Sequence, residues 1–545
     1  MKISLVEFGG MAPKIEPRRL ADKLATVAQN AGFESGALAP ATIGTVPSTD
    51  FAPLTSSVRS ILRPANGDTR LAFTSDTTGE AFASLVAPSD KWGRIYYTTA
   101  LGARYTVADN YVTGGLSINP VSYALGMKTP QYVPVPATPA FTPAPGQQPD
   151  TVRTAYVFTF VDRYGHEGAP SQPSTIVELP FGLPFTCRLT FTAESLPDTN
   201  VVGAMRRIYR AAFDGTASRW QYVGETPLAN STWTDTVPLG EEAEELISTD
   251  WVPPPVLAQM VPVASNFVAG FHDNVLCYSE SRLPHAWPEG YRFPLKFQIV
   301  GLKPTQNGLL VATTGKPYWA FGADPASAIP VELDSNHPCL SARSLVDMGG
   351  YVVYASNDGL VAVAGQGVKV ITTGFIDRLT WLRDFAPTSI VAFAYEGRYV
   401  FSVGNAWWAF DPADGGGFAT LGSLAVTPAT LRQAYYDAKR DVTVLLNTSG
   451  VAHDVVARTG GTFVWKSKVF ELPPTSFARA RVLSTTYPVT LQVTADGVTN
   501  AYTIRDEQPV PLRAGRLARN WQLQIEGSGR ITEVALAQSA REFFT

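Results

Sequence analysis

The sequence predicts a mainly β protein: a discontinuous β-propeller, interrupted by a fibronectin III or immunoglobulin-like β-sandwich and preceded by a short helical arm. Three observations predict it. Strand–turn–strand units recur roughly every 45 residues beyond residue 255, a spacing in the range of propeller blades. A block of short strands separated by turn signals occupies residues 151–250, as expected of a sandwich. Gly 45 and Pro 42 among 545 residues supply many turns and leave room for few long helices.

The arm spans residues 1–50. Leu20, Leu24, Val27, Ala28 and Ala31 recur at helical spacing, with Pro17 at the start and Gly32 at the stop, and predict an amphipathic helix. Residues 51–128 hold the first propeller strands: Ser57–Leu62, Leu71–Thr74, Arg94–Thr99 and Ala103–Val107. Residues 129–150 carry Pro130, Pro134, Pro136, Pro139, Pro143, Pro145 and Pro149 and read as an extended, backbone-solvated linker.

The sandwich block opens with Tyr156–Asp162, turns at Arg163–Gly168, and continues with Arg188–Thr192, Arg206–Ala211, Trp220–Glu225 and Ser231–Asp235. It has no Cys…Trp…Cys core, which disfavours a true antibody-type domain. The acidic run Glu241, Glu242, Glu244 and Glu245 reads as a solvated turn or linker.

The main blades occupy residues 251–475. Gly308–Phe321, Gly350–Val363, Gly397–Phe410 and Asp441–Asp454 are each strand, turn and strand, with Asn357-Asp-Gly359 and Gly404-Asn405 as hairpin turns. In the first three both arms are apolar, as for strands buried on both faces. The competing arrangement is two stacked antiparallel sheets. Residues 476–545 continue as strands that are expected to close the propeller beside N-terminal strands, removing exposed sheet edges.

Composition narrows function. Net charge −4, with 17% charged residues, leaves no Lys/Arg excess for gripping nucleic acid. Cys187, Cys277 and Cys339 are widely spaced without Cys-x-x-Cys, so neither a disulfide framework nor a zinc site is expected. Glu7 interrupts a first apolar run too short for a signal peptide, and no apolar run approaches the roughly 18 residues of a membrane span. A soluble protein with reduced thiols is the expectation.

Catalytic patterns are sparse. His166, His272, His285, His337 and His453 form neither His-x-x-x-His nor His-Glu-x-x-His. His337-Pro-Cys339 lacks two further ligands. No Gly-x-Ser-x-Gly elbow occurs, Gly365-Gln-Gly367 is a hairpin turn, and Gly315-Lys316 lacks the glycine of a phosphate loop. No metal or cofactor is expected. Ser356-Asn-Asp-Gly359 partly matches the Asp-box hairpins of sialidase propellers. Asp358, Asp377, Asp384, Asp411 and Asp414 are candidate glycosidase carboxylates, and Arg378 and Arg383 a candidate basic pair. Trp287, Trp407 and Trp408 would stack on sugar in an adhesin, or pack between blades. Asn230-Ser-Thr and Asn447-Thr-Ser match a glycosylation pattern that carries meaning only with a secretory route.

The most informative stretch is Val275–Tyr291, which contains Ser279-Glu280, then Pro284-His285-Ala286-Trp287-Pro288. The two prolines fix φ and restrict the residues before them, so His285 and Trp287 are presented by a rigid loop. This stretch resembles the Ser-Glu-x-x-x-Pro-His-Ala-Trp-Pro signature of tail nozzle proteins of short-tailed bacteriophages, also called tail stabilisation or tail tubular protein B. Further pieces are similar in the same order: Phe8-Gly-Gly, Ala28-Gln-Asn30, Ser35–Pro40, Gly93–Thr98, Tyr156–Pro173 with Arg207-Ile-Tyr-Arg210, Asp358-Gly-Leu-Val, Ile371–Trp381, Ala495-Asp-Gly497 and Ala537–Glu542.

The resemblance implies a non-enzymatic structural protein at the distal end of a virion tail, made in the cytoplasm of the bacterial host. It implies a homohexameric ring that contacts a tail adaptor protein and fibre, spike or needle proteins. Genome DNA would pass through its lumen without sequence-specific binding, and no membrane insertion is implied. Ser279, Glu280, Pro284, His285, Trp287 and Pro288 would then be a structural signature. The alternative is a propeller glycosidase or glycan-binding adhesin acting on the bacterial surface.

Overall fold

The structure, a computed structural model, describes residues 1–64, 67–85, 90–146, 148–196, 203–213, 218–412, 417–458, 460–513 and 517–543. Asp414 lies outside these residues. The chain is mainly β, and among the described residues the one α-helical turn is Arg378–Thr380, followed by a π-turn over Trp381–Phe385. No helix is long and apolar enough to cross a membrane among the described residues.

Seven small sheets succeed one another. Three are simple antiparallel meanders in chain order, 259–294, 299–332 and 346–370; the fourth, 392–421, is a meander that continues through Ala25–Gln29 into a larger sheet. The fifth joins Leu431–Asp437, Val442–Asn447 and Ala452–Ala457 to Ile43–Pro47 from the N-terminal arm. The sixth holds Ser60–Leu62, Arg70–Phe73 and Leu116–Ile118, the last pair parallel. The seventh holds Phe82–Ala83, Ile95–Thr99, Gly102–Thr106 and Tyr123–Ala124.

Alternation along each central strand explains how these sheets meet. Leu309 and Val311 share a core with Val261 and Phe267 of the preceding sheet, whereas Leu310 and Ala312 share another with Val352 and Tyr354 of the following one. Successive side chains point to opposite faces, so a continuous apolar run buries both. The same split continues through Val353 with Phe401, Val400 with Leu445, Val444 with Ile61, and Leu71 with Ile95. Tyr96 and Tyr105 of the seventh sheet then pack on Met260 and Val268 of the first. The shared cores therefore close into a cycle.

The seam between the fifth and sixth sheets is polar as well as apolar. Gln433 Oε1 accepts from Ile61 N (2.8 Å), and Gln433 Nε2 donates to Gly79 O (2.7 Å). Tyr435 Oη accepts from Arg63 N (2.9 Å). Arg63 is buried and reaches Asp437 through Nε (2.9 Å) and Asp50 through Nη2 (2.7 Å); Arg440 also holds Asp437 (2.8 Å).

Side chains also join sheets that are not neighbours in the cycle. Arg343 Nη2 donates to Leu431 O (2.7 Å), and Lys303 Nζ reaches Glu80 (3.3 Å).

Two further bodies flank the cycle. In one, Lys2–Leu5, Ile531–Ala537, Arg479–Ser484 and Val510–Pro511 form a sheet facing Phe463–Ser467, Ala518–Gly527 and Val489–Ala495 over a common core. In the other, Tyr156–Val161, Met205–Phe213 and Ser218–Pro227 face Phe185–Thr190 and Thr232–Asp235; Tyr156, Phe158 and Phe160 share their core with Phe185, Cys187 and Leu189.

Four expectations are corrected. The helix predicted from Pro17 to Gly32 is absent. Ala25–Gln29 is instead a strand, antiparallel to Phe463–Ser467 and touching Phe418–Leu421 at Thr420. Ladder bonds in that slot outweigh a helical stripe, and Leu20 and Leu24 bury in a separate small core with Ala12. The proline-rich segment is not wholly solvated: Val135–Pro136 and Ala140–Phe141 pair with Phe185–Thr190 at sheet edges, where proline is tolerated.

The C-terminal strands do lie beside N-terminal ones, but they build their own two-layer body, and Ile43–Pro47 completes the fifth sheet. The acidic run is solvated at Glu241, Glu244 and Glu245 but not at Glu242. Tyr222 N donates to Glu244 O (2.9 Å), and the Glu242 carboxylate is buried on Arg210 beside Asp235.

Burial pushes the Asp437 carboxyl up, yet hydrogen bonds and charge from Arg440 and Arg63 outweigh it and hold the group below the usual range. This stabilisation is complete above the unfolded value near 3.9 and lost as pH falls through the folded one. Asp437→Ala leaves Arg63 buried without this partner, and should lower stability by about 3–5 kcal/mol, read as a shift of the denaturant midpoint at neutral pH. An unchanged midpoint would remove the seam from the account of stability.

Candidate functional site: a buried joint at the proline-bracketed loop

Strand Val275–Tyr278 delivers the chain to Ser279, whose Oγ accepts from Val268 N (2.9 Å) and donates to Glu280 O (3.0 Å). Glu280 O accepts from Leu283 N (3.1 Å), and Ala286 O accepts from Glu280 N (2.8 Å), closing a compact loop. Glu280 Oε1 accepts from Ser281 N (3.0 Å). Trp287 Nε1 donates to Pro284 O (2.8 Å), and its backbone N to Val252 O (2.9 Å). Pro284, His285, Ala286, Trp287 and Pro288 are all buried. Trp287 fills the core between the seventh and first sheets. Gly126, at φ +87, lies under this loop; a Cβ there would stand 3.0 Å from His285 O and 2.7 Å from Pro253 Cα.

His285 is 4% exposed. Its ring stacks on His166 at 4.5 Å and meets Trp251 edge-on at 5.8 Å. Its Nε2 has no hydrogen-bond partner. Burial pulls its pKa well below 6.5.

His166 belongs to a turn with a counterpart. Asp162-Arg-Tyr-Gly-His166 and Asp90-Lys-Trp-Gly-Arg94 share the order Asp, basic, aromatic, Gly, basic or imidazole. In the first, Asp162 Oδ1 accepts from Tyr164 N (2.9 Å) and His166 N (2.8 Å). In the second, Asp90 accepts from Trp92 N (3.1 Å) and Arg94 N (3.0 Å). Each final side chain folds back on its own aspartate: His166 Nδ1 to Asp162 Oδ2 at 3.1 Å, Arg94 Nε to Asp90 Oδ2 at 3.0 Å. Gly93 and Gly165 take φ +55 and +83, the left-handed region that such a turn needs.

The two turns touch. Arg94 Nη1 lies 2.8 Å from His166 Nε2. Guanidinium is a donor only, so Nε2 accepts and the ring proton sits on Nδ1, facing Asp162. Tyr105 Oη donates to Asp162 Oδ2 (2.5 Å). Burial pushes Asp162 up, but the bonds from His166 and Tyr105 outweigh it and hold it low. Trp92 meets Tyr164 edge-on at 5.0 Å. Outside the buried pairs, an open cleft of about 410 Å³ is lined by Lys91, Trp92, Arg94, Arg163 and Tyr164 with Asp90 and Gly165.

The other candidates are dispersed. Asp358 pairs with His337 (3.2 Å) and Arg378 (2.9 Å), Asp384 with Arg383, and Asp377 caps Thr380 N (3.0 Å). Asp411 lines a small cavity with Arg398 and Tyr395. Trp407 is buried, donating to Val426 O (2.6 Å), and Trp408 packs on Phe385. Cys187, Cys277 and Cys339 are free and buried. Asn447 Oδ1 serves its own turn, accepting from Ser449 N and Val451 N (both 2.9 Å). No cluster of His, Cys, Asp and Glu able to hold a metal occurs among the described residues. Sequence reading missed His166 and Trp251 as ring partners of His285, and Asp90, Arg94, Tyr105 and Asp162 as the groups arranged around His166. The repeated five-residue pattern was the signal that pairs two of these segments.

No family model matches the chain, and no curated protein matches it. Many solved structures are similar, two of which are BamB and PorZ. BamB from Moraxella catarrhalis is 9% identical, with 60% of this chain and 98% of that one covered and a TM-score of 0.25. PorZ, a surface component of the type-IX secretion system of Porphyromonas gingivalis, is 12% identical, with 63% and 46% covered and a TM-score of 0.24. The match thus spans about half the length of PorZ.

Because folded His285 stays neutral, the unfolded chain takes up a proton that the joint excludes. Stability is complete above about pH 6.5 and is lost progressively as pH falls below it. The thermal midpoint, followed from about pH 8 to about pH 5, should fall less steeply in His285→Phe than in the parent. Equal slopes would assign the acid loss to other groups.

Proposed function

We propose that this chain is a tail nozzle protein of a short-tailed bacteriophage, with the seven sheets as blades of a discontinuous propeller and residues 151–250 as an inserted sandwich. It acts by shape, as a wall segment around a passage, and breaks no bonds. Copies close into a homohexameric ring through heterologous contacts. The ring sits at the distal tail of the virion, below an adaptor protein, and carries fibre, spike or needle proteins. It needs no cofactor and does not insert into membrane.

The observation that carries this reading is the fate of the signature residues. Ser279, Pro284, His285, Trp287 and Pro288 are buried, Glu280 is half-buried, and His285 joins the loop to His166 in the 151–250 segment. Residues spent on a rigid joint suit a structural signature better than a reactive site. Charge supports it too: every phosphate contact retains DNA, and a chain of net charge −4 lets a genome slide past.

The links from Arg343 to Leu431 and from Lys303 to Glu80 bear on where the passage lies. They join segments beside sheets that are not neighbours in the cycle. The reading puts the passage for duplex DNA between copies, in a ring of chains.

Imaging of purified protein and of virion tails tests the proposal. Six-fold rings with a lumen wide enough for a duplex, at the distal tail, are expected. Monomers only, in a protein absent from virions, would overturn it.

A further inference from the structure

We propose that the stacked pair His285 and His166 is an acid-released latch that fastens the 151–250 body to the cycle. The proposal does not rest on the nozzle reading.

The body and the cycle meet at few points. No strand among Tyr156–Val161, Phe185–Thr190, Met205–Phe213, Ser218–Pro227 and Thr232–Asp235 pairs with a strand of the seven sheets among the described residues. Beyond the connecting segments, where Met127 packs on the body's core, the bridging side chains come from one turn. Asp162 accepts from Tyr105, Tyr164 enters the core that holds Leu257 and Trp287, and His166 touches Arg94 and His285.

The latch is built for neutral rings. Arg94 Nη1 lies 2.8 Å from His166 Nε2, and His166 Nδ1 lies 3.1 Å from Asp162 Oδ2, so both nitrogens of that ring are engaged. A second proton on His166 would set Nε2–H against the Arg94 donor. His285 stacks on this ring at 4.5 Å, and its Nε2 has no partner. A proton there would be a buried donor without an acceptor, on a cation touching His166.

The groups around His285 leave that cation uncompensated. From the turn, Asp162 is taken by Tyr105 and His166, and the Glu167 carboxylate accepts from Thr159 and Tyr209, both at 2.7 Å. From the segment before the seventh sheet, Arg94 is itself a cation, and Asp90 is spent on it at 3.0 and 3.1 Å. In the connection under the loop, Lys128 pairs with Glu194 at 2.7 Å. Trp251 of the return segment brings no charge, and Glu280 of the same loop accepts from Ser281 N. Burial dominates and keeps His285 neutral; Asp162 and the Glu167 backbone oppose it without outweighing it.

Opening the latch returns His285 to water, where its ordinary value is about 6.5. The closed form is therefore at full strength above that value, and the open form gains a proton below it. From about pH 8 to about pH 5, one proton raises the opening constant about thirtyfold. Opening leaves the body its own core, since Tyr156, Phe158 and Phe160 pack on Phe185 and Leu189 without a strand of the cycle.

Hydrogen exchange of the full chain across that pH range, read by mass spectrometry and corrected for the intrinsic pH effect, tests the latch. Segments 162–168 and 283–288 should open together, and more readily than 156–161 and 352–356. Their opening constant should rise about thirtyfold, and His285→Phe, which keeps a ring in the stack, should abolish the rise. Opening of the turn only with the whole chain, or an equal rise in His285→Phe, would overturn the proposal. The parent protein also reports without any variant. Exchange at the His285 ring carbon Cε1 follows its titration; a midpoint below 6.5 is expected, and one at or above 6.5 would overturn the proposal as well.

Discussion

A sheet that is apolar on both faces cannot stand at the end of a row. That constraint governs this molecule. Leu309 and Leu310, Val352 and Val353, and Val444 and Leu445 are adjacent residues that bury on opposite sides. Each sheet needs a neighbour on both sides, and a cycle is the arrangement that supplies one to all. The seam from the fifth sheet to the sixth joins residues some 372 positions apart, and it is there that Gln433, Tyr435 and Arg63 add directed hydrogen bonds to the shared core. Apolar packing alone is indifferent to register, whereas these bonds are not.

The chain leaves the cycle after Tyr123–Ala124 and returns at Gln259–Val263. Between those points lies the body with the Tyr156–Val161 strand. An excursion of that length leaves two adjacent sheets, the seventh and the first, without a short connection. Trp287 fills the gap between them, and His285 reaches from the same loop to His166 in the excursion. The proline-bracketed loop thus performs two fastenings with residues two positions apart. Asp162, accepting from Tyr105 and facing His166 in its own turn, ties the excursion to the seventh sheet through polar contacts.

Much of this was legible in the sequence. The four hairpins beyond residue 300 lie within a few residues of their expected places, because unbroken apolar runs bounded by Asn, Asp and Gly turns carry their own signal. Trp407 packs in the core between the fourth and fifth sheets, as its apolar surroundings suggest. The arm was misread because Leu20, Leu24, Ala28 and Ala31 fit a helical period, while the strand that Ala25–Gln29 forms is defined by partners more than 390 residues away. Propensity is a weak guide when a distant slot decides. Glu242 looked solvated since nothing nearby in sequence announces Arg210 as its mate. The joint was half visible: rigidity at Pro284 and Pro288 could be read, but its burial could not.

The placement of Lys2–Leu5 has a bearing on how the molecule is made. Ser4 meets Glu533 across 529 positions, and the strand's ladder partner is Ile531–Ala537. At ribosomal speeds of about 5–20 residues per second, on the order of half a minute to two minutes separates synthesis of the two. Through that interval the leading segment has its apolar side chains uncovered and its backbone unmatched. The sheets of the cycle, whose hairpins are local, can pair before it finds its partner. The flanking two-layer body therefore cannot close until Ile531–Ala537 has been made.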